Sequence, residues 1–214
     1  MDSISYDRQT ALVVVDVQND FADPAGGLYV TGGEGVVPFI NVEIAEARRG
    51  GATVVYTADR HPESTPHFAK DGGIWPVHCV DGTWGAEFHP ELVVDGSVVT
   101  KGLDGRDGYS GFSTRHPSTD ETSPTELASL LREAGVGSLV VVGLATDYCV
   151  KATVLDGLAE GFAVTVLTPA MRAVDLEPGD GDRALAEMTA AGAVLVPVGE
   201  SVSPRSASEN GRER

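Results

Sequence analysis

The sequence predicts an α/β fold in which a parallel β-sheet is sandwiched between two layers of helices. Six short apolar runs, rich in valine, do not alternate with polar residues, which is typical of strands buried on both faces. Stretches with helical periodicity separate most of these runs, and alternating strands and helices form a parallel α/β sandwich. The six predicted strands lie around residues 12–17, 53–58, 97–101, 138–144, 163–167 and 193–198.

Helices are predicted between these strands from apolar stripes and from start and stop signals. The first has its apolar stripe over residues 37–47. The clearest start signal is Ser-Pro-Thr-Glu at 123–126, which supplies an N-cap, a first-turn proline and a capping-box glutamate, and that helix should end at Gly135. Two further helices are predicted to begin near Thr146 and Asp182.

Two long segments, residues 59–96 and 102–122, do not fit this alternation. They contain proline, glycine, histidine, tryptophan and hydroxyl residues without helical periodicity. Loops of this length in a compact domain usually carry function or are disordered, so both are candidates for the functional site.

Length, composition and charge limit the classes of function. The 214 residues, 42% apolar and 22% charged, predict one domain, which we assign to residues 1–200, and a disordered tail at 201–214. A formal net charge of −17, from 15 basic and 32 acidic residues, disfavours nucleic acids and membrane surfaces as partners. No apolar run approaches the roughly 18 residues of a membrane span, and the start of the sequence does not resemble a signal peptide, so we expect a cytoplasmic protein.

Several reactive side chains follow predicted strands. Asp16, Asp59, Lys101 and Cys149 come at the ends of the first four strands, and the carboxyl ends of parallel strands meet at one rim of a sheet. Each has a structural explanation when taken alone: a turn aspartate, a surface lysine, a cysteine that fills the core. An acid, an amine and a thiol at the same edge are the set that an activated nucleophile needs.

Cys149 is the predicted nucleophile. It lies just after the start of the helix near Thr146, where unpaired N–H groups and the helix dipole favour an anion, and Lys101 would lower the thiol pKa further. We therefore expect a stabilised thiolate. Asp16 would accept the thiol proton and return it to a departing amine. The backbone N–H of Cys149 and another from residues 144–146 would hold the oxyanion.

The 59–96 loop contains a predicted metal site. Asp59, His61, His67 and His78 lie within 20 residues of a chain that has only five histidines, and this set suits a divalent transition metal. The alternative is that His61 belongs to a turn and His78 is a hydrogen-bonded packing residue. Phe21 and Trp75 flank the predicted rim and would sandwich a flat ring, although satellite core packing is their alternative role.

The motifs together resemble those of the nicotinamidases of the isochorismatase-like hydrolase superfamily, over about residues 10–198. Segments 16–21 (DVQNDF) and 143–150 (GLATDYCV) resemble several amidohydrolases of that superfamily, whereas 59–62 (DRHP) and 74–80 (IWPVHCV) are similar to nicotinamidases in particular. Lys101 completes the five motifs, which occur in the family's order.

This resemblance implies a single-domain, six-stranded parallel sheet with strand order 3-2-1-4-5-6 and helices on both faces. It implies an Asp16–Lys101–Cys149 catalytic triad, a cis peptide between Leu144 and Ala145, and backbone amides of Ala145 and Cys149 in the oxyanion hole. The implied metal ligands are Asp59, His61, His67 and His78, holding one divalent ion (Zn, Fe or Mn) that orients the substrate ring. Phe21, Trp75 and Tyr109 would line the ring pocket.

The implied reaction converts nicotinamide to nicotinate and ammonia, and pyrazinamide to pyrazinoate, through a thioester on Cys149. Three alternatives stay open at this point: a metal-free sister amidohydrolase acting on a carbamoyl or ureido compound, a catalytically silent binding protein on the same fold, and hydrolysis by a metal-bound hydroxide. The identity of the metal, the function of the 102–122 loop and whether the chain forms a homo-oligomer also stay open.

Overall fold

A computed structural model describes residues 4–197, and the predicted tail at 201–214 lies outside them. The strands are β1 (Thr10–Val15), β2 (Thr53–Asp59), β3 (Ser97–Lys101), β4 (Ser113–Arg115), β5 (Thr122–Pro124), β6 (Ser138–Leu144), β7 (Ala163–Arg172) and β8 (Val194–Val196). The helices are α1 (Asn19–Ala22), α2 (Val37–Gly50), α3 (Leu127–Glu133), α4 (Lys151–Ala159) and α5 (Asp180–Ala191).

Six of the strands form one parallel sheet in the order β3-β2-β1-β6-β7-β8. Numbered along the chain within that sheet, this is the order 3-2-1-4-5-6, so the predicted fold class and strand order are confirmed. The order changes direction between β1 and β6, which makes their carboxyl ends the place where a parallel sheet usually binds ligands.

Both faces of the sheet are buried, which explains why the strands read as continuous apolar runs. Leu12 and Val14 of β1 belong to the same core cluster as Ile40 and Ile44 of α2. The alternate residues of β1 belong to a second cluster, with side chains from α3, α4 and α5. The helices therefore cover the sheet from both sides.

The longest helix described, α2, has 14 residues. Among residues 4–197, no helix combines the length and the apolar character needed to cross a bilayer.

The start of α3 differs from the prediction. The Ser-Pro pair at 123–124 lies in β5, which forms an antiparallel hairpin with β4, and the helix begins at Leu127. The hydroxyl of Thr125 accepts a hydrogen bond from the Leu127 N–H at 3.2 Å, so the cap lies two residues later than predicted. The predicted stop is close: α3 ends at Glu133, and Gly135 has a left-handed φ of 72°.

Candidate active site

The reactive side chains predicted from the sequence lie together at the carboxyl edge of the sheet. Asp16 directly follows β1, with a left-handed φ of 49°, and Asp59 and Lys101 are paired residues at the ends of β2 and β3. Cys149 lies in a π-helical turn, Thr146–Val150, that follows β6. Because β2, β1 and β6 are adjacent in the sheet, residues more than 130 positions apart in sequence meet at one rim.

Asp16, Lys101 and Cys149 form a buried cluster. The Lys101 ammonium lies 2.7 Å from Asp16 Oδ2 and 3.7 Å from Cys149 Sγ. Asp16 and Lys101 are at most 2% exposed, and Cys149 is 9% exposed. The sequence analysis missed Thr57, whose hydroxyl donates to Asp16 Oδ1 at 2.6 Å. This threonine lies inside an apolar run, and nothing in its sequence context distinguishes it from a core residue.

Gly108 brings the 102–122 loop against this cluster, and its carbonyl accepts a hydrogen bond from Lys101 Nζ. A Cβ at position 108 would lie 3.1 Å from Lys101 Cγ and 3.2 Å from Asp59 Oδ1. Glycine suits this close approach, because a side chain here would require its neighbours to shift by a few tenths of an ångström.

The pKa of the Cys149 thiol is raised in the structure, whereas the sequence predicts that the helix start and Lys101 lower it. Burial raises the thiol pKa well above its ordinary value; the Lys101 ammonium lowers it, but the nearby carboxylates of Asp16 and Asp59 raise it again. Burial also raises the pKa of Asp16, against the opposing charge of Lys101. Burial lowers the pKa of Lys101, but the carboxylates of Asp16 and Asp59 raise it overall, so the amine stays charged. The raised pKa favours the neutral thiol over the thiolate.

The four predicted metal ligands also lie together. One nitrogen from each of His61, His67 and His78 lies within 4.8 Å of the others, and all three side chains are buried. Asp59 Oδ2 is 3.0 Å from Nε2 of His61 and 3.5 Å from Nε2 of His78. Burial raises the pKa of Asp59, but Lys101 and His61 together hold it well below its usual range, so Asp59 is an ionised carboxylate.

The donor set fits a metal ion. Nδ1 of His67 is hydrogen-bonded to Asp107 and Nδ1 of His78 to the Pro76 carbonyl, which leaves the Nε2 atoms of both rings available as ligands. Among the described residues, Asp59 Oδ1 is a buried polar atom without a hydrogen-bond partner. An ionised carboxylate that has one unpartnered oxygen, and whose other oxygen lies beside the His61 and His78 rings, is a donor set that a divalent cation would complete.

The predicted aromatic residues line the same pocket as Cys149 and Ala145: they are Phe21, Trp75 and Tyr109. Trp75 Nε1 donates to the Tyr109 hydroxyl at 2.8 Å, joining the 59–96 loop to the 102–122 loop. Burial raises the pKa of Tyr109 to about 12, so this hydroxyl is a neutral phenol at physiological pH. The peptide between Leu144 and Ala145 is cis, as the resemblance implies.

The sequence analysis missed two further side chains at the site. Tyr148 also lines the pocket, and its ring lies edge-on to Trp75 with centroids 4.8 Å apart. Its position beside Cys149 in the 143–150 motif was a usable signal. Asp107, the partner of His67, lies in a polar, glycine-rich loop with no pattern that marks it.

Comparison with known proteins reveals similarity over most of the chain. Residues 10–200 match the Isochorismatase domain family. The nicotinamidase of Escherichia coli (strain K12) is 37% identical over 203 residues, 86% of this chain and 93% of the relative. Pyrazinamidase of Pyrococcus horikoshii in complex with zinc has a TM-score of 0.78 at 40% identity, covering 88% of this chain and 99% of that one. PnC1 from L. infantum in complex with nicotinate has a TM-score of 0.82 at 34% identity, with coverages of 91% and 96%.

Proposed function

The chain belongs to the isochorismatase family, and from that premise we propose that it hydrolyses nicotinamide to nicotinate and ammonia, and pyrazinamide to pyrazinoate. The observation that carries the proposal is one pocket whose lining includes both Cys149, which contacts Lys101, and the Asp59, His67 and His78 side chains. A nucleophile and a candidate ring-binding centre thus open onto the same space. The E. coli nicotinamidase and the zinc- and nicotinate-bound crystal structures support this substrate class.

In the first half of the reaction, Cys149 Sγ attacks the carboxamide carbon as its proton passes to Asp16. A C–S bond forms and the carbonyl oxygen takes up negative charge. Asp16 then gives the proton to the leaving nitrogen, the C–N bond breaks, and ammonia departs from a thioester. Because the resting thiol is neutral, this proton transfer is required for attack. Lys101 remains an ammonium ion and compensates the charge of Asp16.

In the second half, water attacks the thioester and passes a proton to Asp16. Asp16 returns it to Sγ as the C–S bond breaks, which releases the acid and restores the thiol. In both halves the backbone N–H groups of Ala145 and Cys149 donate to the oxyanion, and the loss of one such donor typically costs about 2.7–4 kcal/mol in the barrier.

The part of the pocket that would hold the substrate ring, near the aromatic residues and the candidate metal ligands, determines the substrate specificity. When bound there, a divalent Zn, Fe or Mn ion supplies a Lewis-acidic position for the pyridine nitrogen, directly or through water, and so orients the ring. Phe21, Trp75 and Tyr109 contact the ring and exclude water from it. The residues that would hold the ion are Asp59, His61, His67 and His78.

The test is an ammonia-release assay with the purified protein on nicotinamide and pyrazinamide. Wild-type protein and the Cys79→Ala control should release ammonia, and Cys149→Ala should fold but release none. Intact-mass analysis after mixing with nicotinaldehyde should show one adduct per chain, and mapping of the adduct should place it on Cys149. Cys79 should not react, because it is fully buried and, unlike Cys149, does not line the pocket.

The alternatives give different results in the same assays. Ammonia release from a carbamoyl or ureido compound but not from nicotinamide, by a protein without stoichiometric metal, would identify a metal-free sister amidohydrolase. Nicotinamide binding without turnover would indicate a silent binding protein. Full activity of Cys149→Ala combined with inhibition by a chelator would favour a metal-bound hydroxide as the nucleophile.

A further inference from the structure

The 102–122 loop places one carboxylate behind the candidate metal site. Asp107 Oδ1 lies 2.8 Å from Nδ1 of His67, and both residues are 7% exposed. His67 comes from the irregular 59–96 loop, where no regular strand or long helix fixes its ring. The hydrogen bond to Asp107 therefore restrains the ring from the side opposite Nε2.

Asp107 is itself held by the strand that follows it. Its Oδ2 accepts from Arg115 Nη2 at 3.2 Å, and the two residues exchange both backbone hydrogen bonds, at 2.7 and 2.9 Å. Arg115 belongs to β4, whose hairpin partner is β5. Both carboxylate oxygens of Asp107 and its backbone are therefore hydrogen-bonded, so the side chain is a fixed acceptor for His67.

We propose that Asp107 is a positioning residue of the metal site: it holds His67 with its proton on Nδ1 and its Nε2 directed to the other ligands, and Arg115 holds Asp107. Ligating histidines commonly donate their second ring N–H to a carboxylate or carbonyl, which sets the tautomer and orientation of the ring. The Pro76 carbonyl, 2.7 Å from Nδ1 of His78, occupies the equivalent position for that ring. The inference rests on the proposed function, and it gives the 102–122 loop a role in building the site.

The test measures Zn²⁺ affinity of the full chain by competition with a chromophoric chelator. Asp107→Ala should weaken Zn²⁺ binding by about 10- to 100-fold, the usual effect of removing such a partner. Asp107→Asn keeps an oxygen that can accept from Nδ1, so its loss should be smaller. Asp104→Ala is the matched control, since Asp104 is in the same loop but 63% of its side chain is exposed and it pairs with Arg106. The Zn²⁺ affinity of this variant should equal that of wild type.

A double-mutant cycle separates positioning from a general effect on structure. In a His67→Ala background, Asp107→Ala should weaken Zn²⁺ binding by less than 2-fold further, because the ring through which it acts is gone. An equal loss in both backgrounds would overturn the inference. Thermal unfolding of the metal-free proteins identifies any variant that fails to fold. If Asp107→Ala fails to fold, the Zn²⁺ affinity of Asp107→Asn tests the inference instead.

The outcomes also separate this inference from the proposed function. Wild-type Zn²⁺ affinity retained in both Asp107 variants would overturn the role of Asp107 alone and leave the metal site standing. A wild-type protein that binds no Zn²⁺ would overturn both the inference and the metal part of the proposed function.

Discussion

Substituting only one residue of the buried Asp16–Lys101 ion pair should destabilise the fold. Asp16→Asn leaves the Lys101 ammonium without its carboxylate 2.7 Å away, and Lys101→Met leaves Asp16 without its cation. Removing one partner of a buried ion pair typically costs about 3–5 kcal/mol, because the remaining charge is buried and unpaired. The double variant, which lacks both Asp16 and Lys101, has no unpaired buried charge at this pair.

The surroundings of the pair set the magnitude for each variant. After Asp16→Asn, Lys101 still has Asp59 Oδ1 at 4.0 Å and the Gly108 carbonyl, so the loss should be near 3 kcal/mol. After Lys101→Met, the carboxylates of Asp16 and Asp59 lose the cation they share, so the loss should be nearer 5 kcal/mol. The double variant should be less destabilised than the sum by at least about 2 kcal/mol.

Urea denaturation of the chelator-treated proteins measures these losses without a contribution from bound metal. All three variants should also lose turnover, by about 10²-fold or more, since each lacks part of the proton-transfer pair. The double variant would then be a folded but inactive protein. Losses in the single variants that add within about 0.5 kcal/mol in the double would refute the coupling of the two charges.

Three further predictions concern the metal site and the loops around the pocket. Chelation should abolish nicotinamide hydrolysis while iodoacetamide still alkylates Cys149 at a similar rate, and Zn²⁺ should restore activity; a chelated enzyme with unchanged kcat/KM would contradict this. Trp75→Phe removes the N–H donor to Tyr109, worth about 0.5–1.5 kcal/mol, so KM for nicotinamide should rise about 2- to 12-fold with little change in kcat. Asp20→Ala removes the acceptor of two backbone N–H groups, including that of Cys79, which has a left-handed φ of 46°. It should destabilise the fold by about 2 kcal/mol in urea, and a loss under 0.5 kcal/mol would argue against this anchor.

Much of the fold can be predicted from local sequence, because strands that are buried on both faces have continuous apolar sequences. The valine-rich run of β1 is buried at every position, and the same is true of most of β2 and β6. Once these strands are parallel and adjacent, the residues at their carboxyl ends must meet. The positions of Asp16, Asp59 and Lys101 were therefore predictable.

What the sequence did not predict depends on contacts between distant segments. The Ser-Pro pair at 123–124 has the chemistry of a helix start, but pairing with β4 draws it into a hairpin. Thr57 and Asp107 acquire roles only through side chains 41 and 40 positions away. The direction of the Cys149 pKa shift was not predicted, because the helix position of this thiol was considered without the burial and the two carboxylates that folding places around it.

The neighbouring placement of β1 and β6, whose register pairs Val15 with Gly143, has a consequence for how activity appears during folding. Asp16, the proposed proton acceptor, follows β1 and Cys149 follows β6, so the two side chains come from distant segments of the chain. On the proposed mechanism, a refolding polypeptide therefore has no activity until this long-range pairing forms. Recovery of turnover after dilution from denaturant reports the completion of the central sheet, and any earlier compact species can be followed by tryptophan fluorescence while catalysis is still absent.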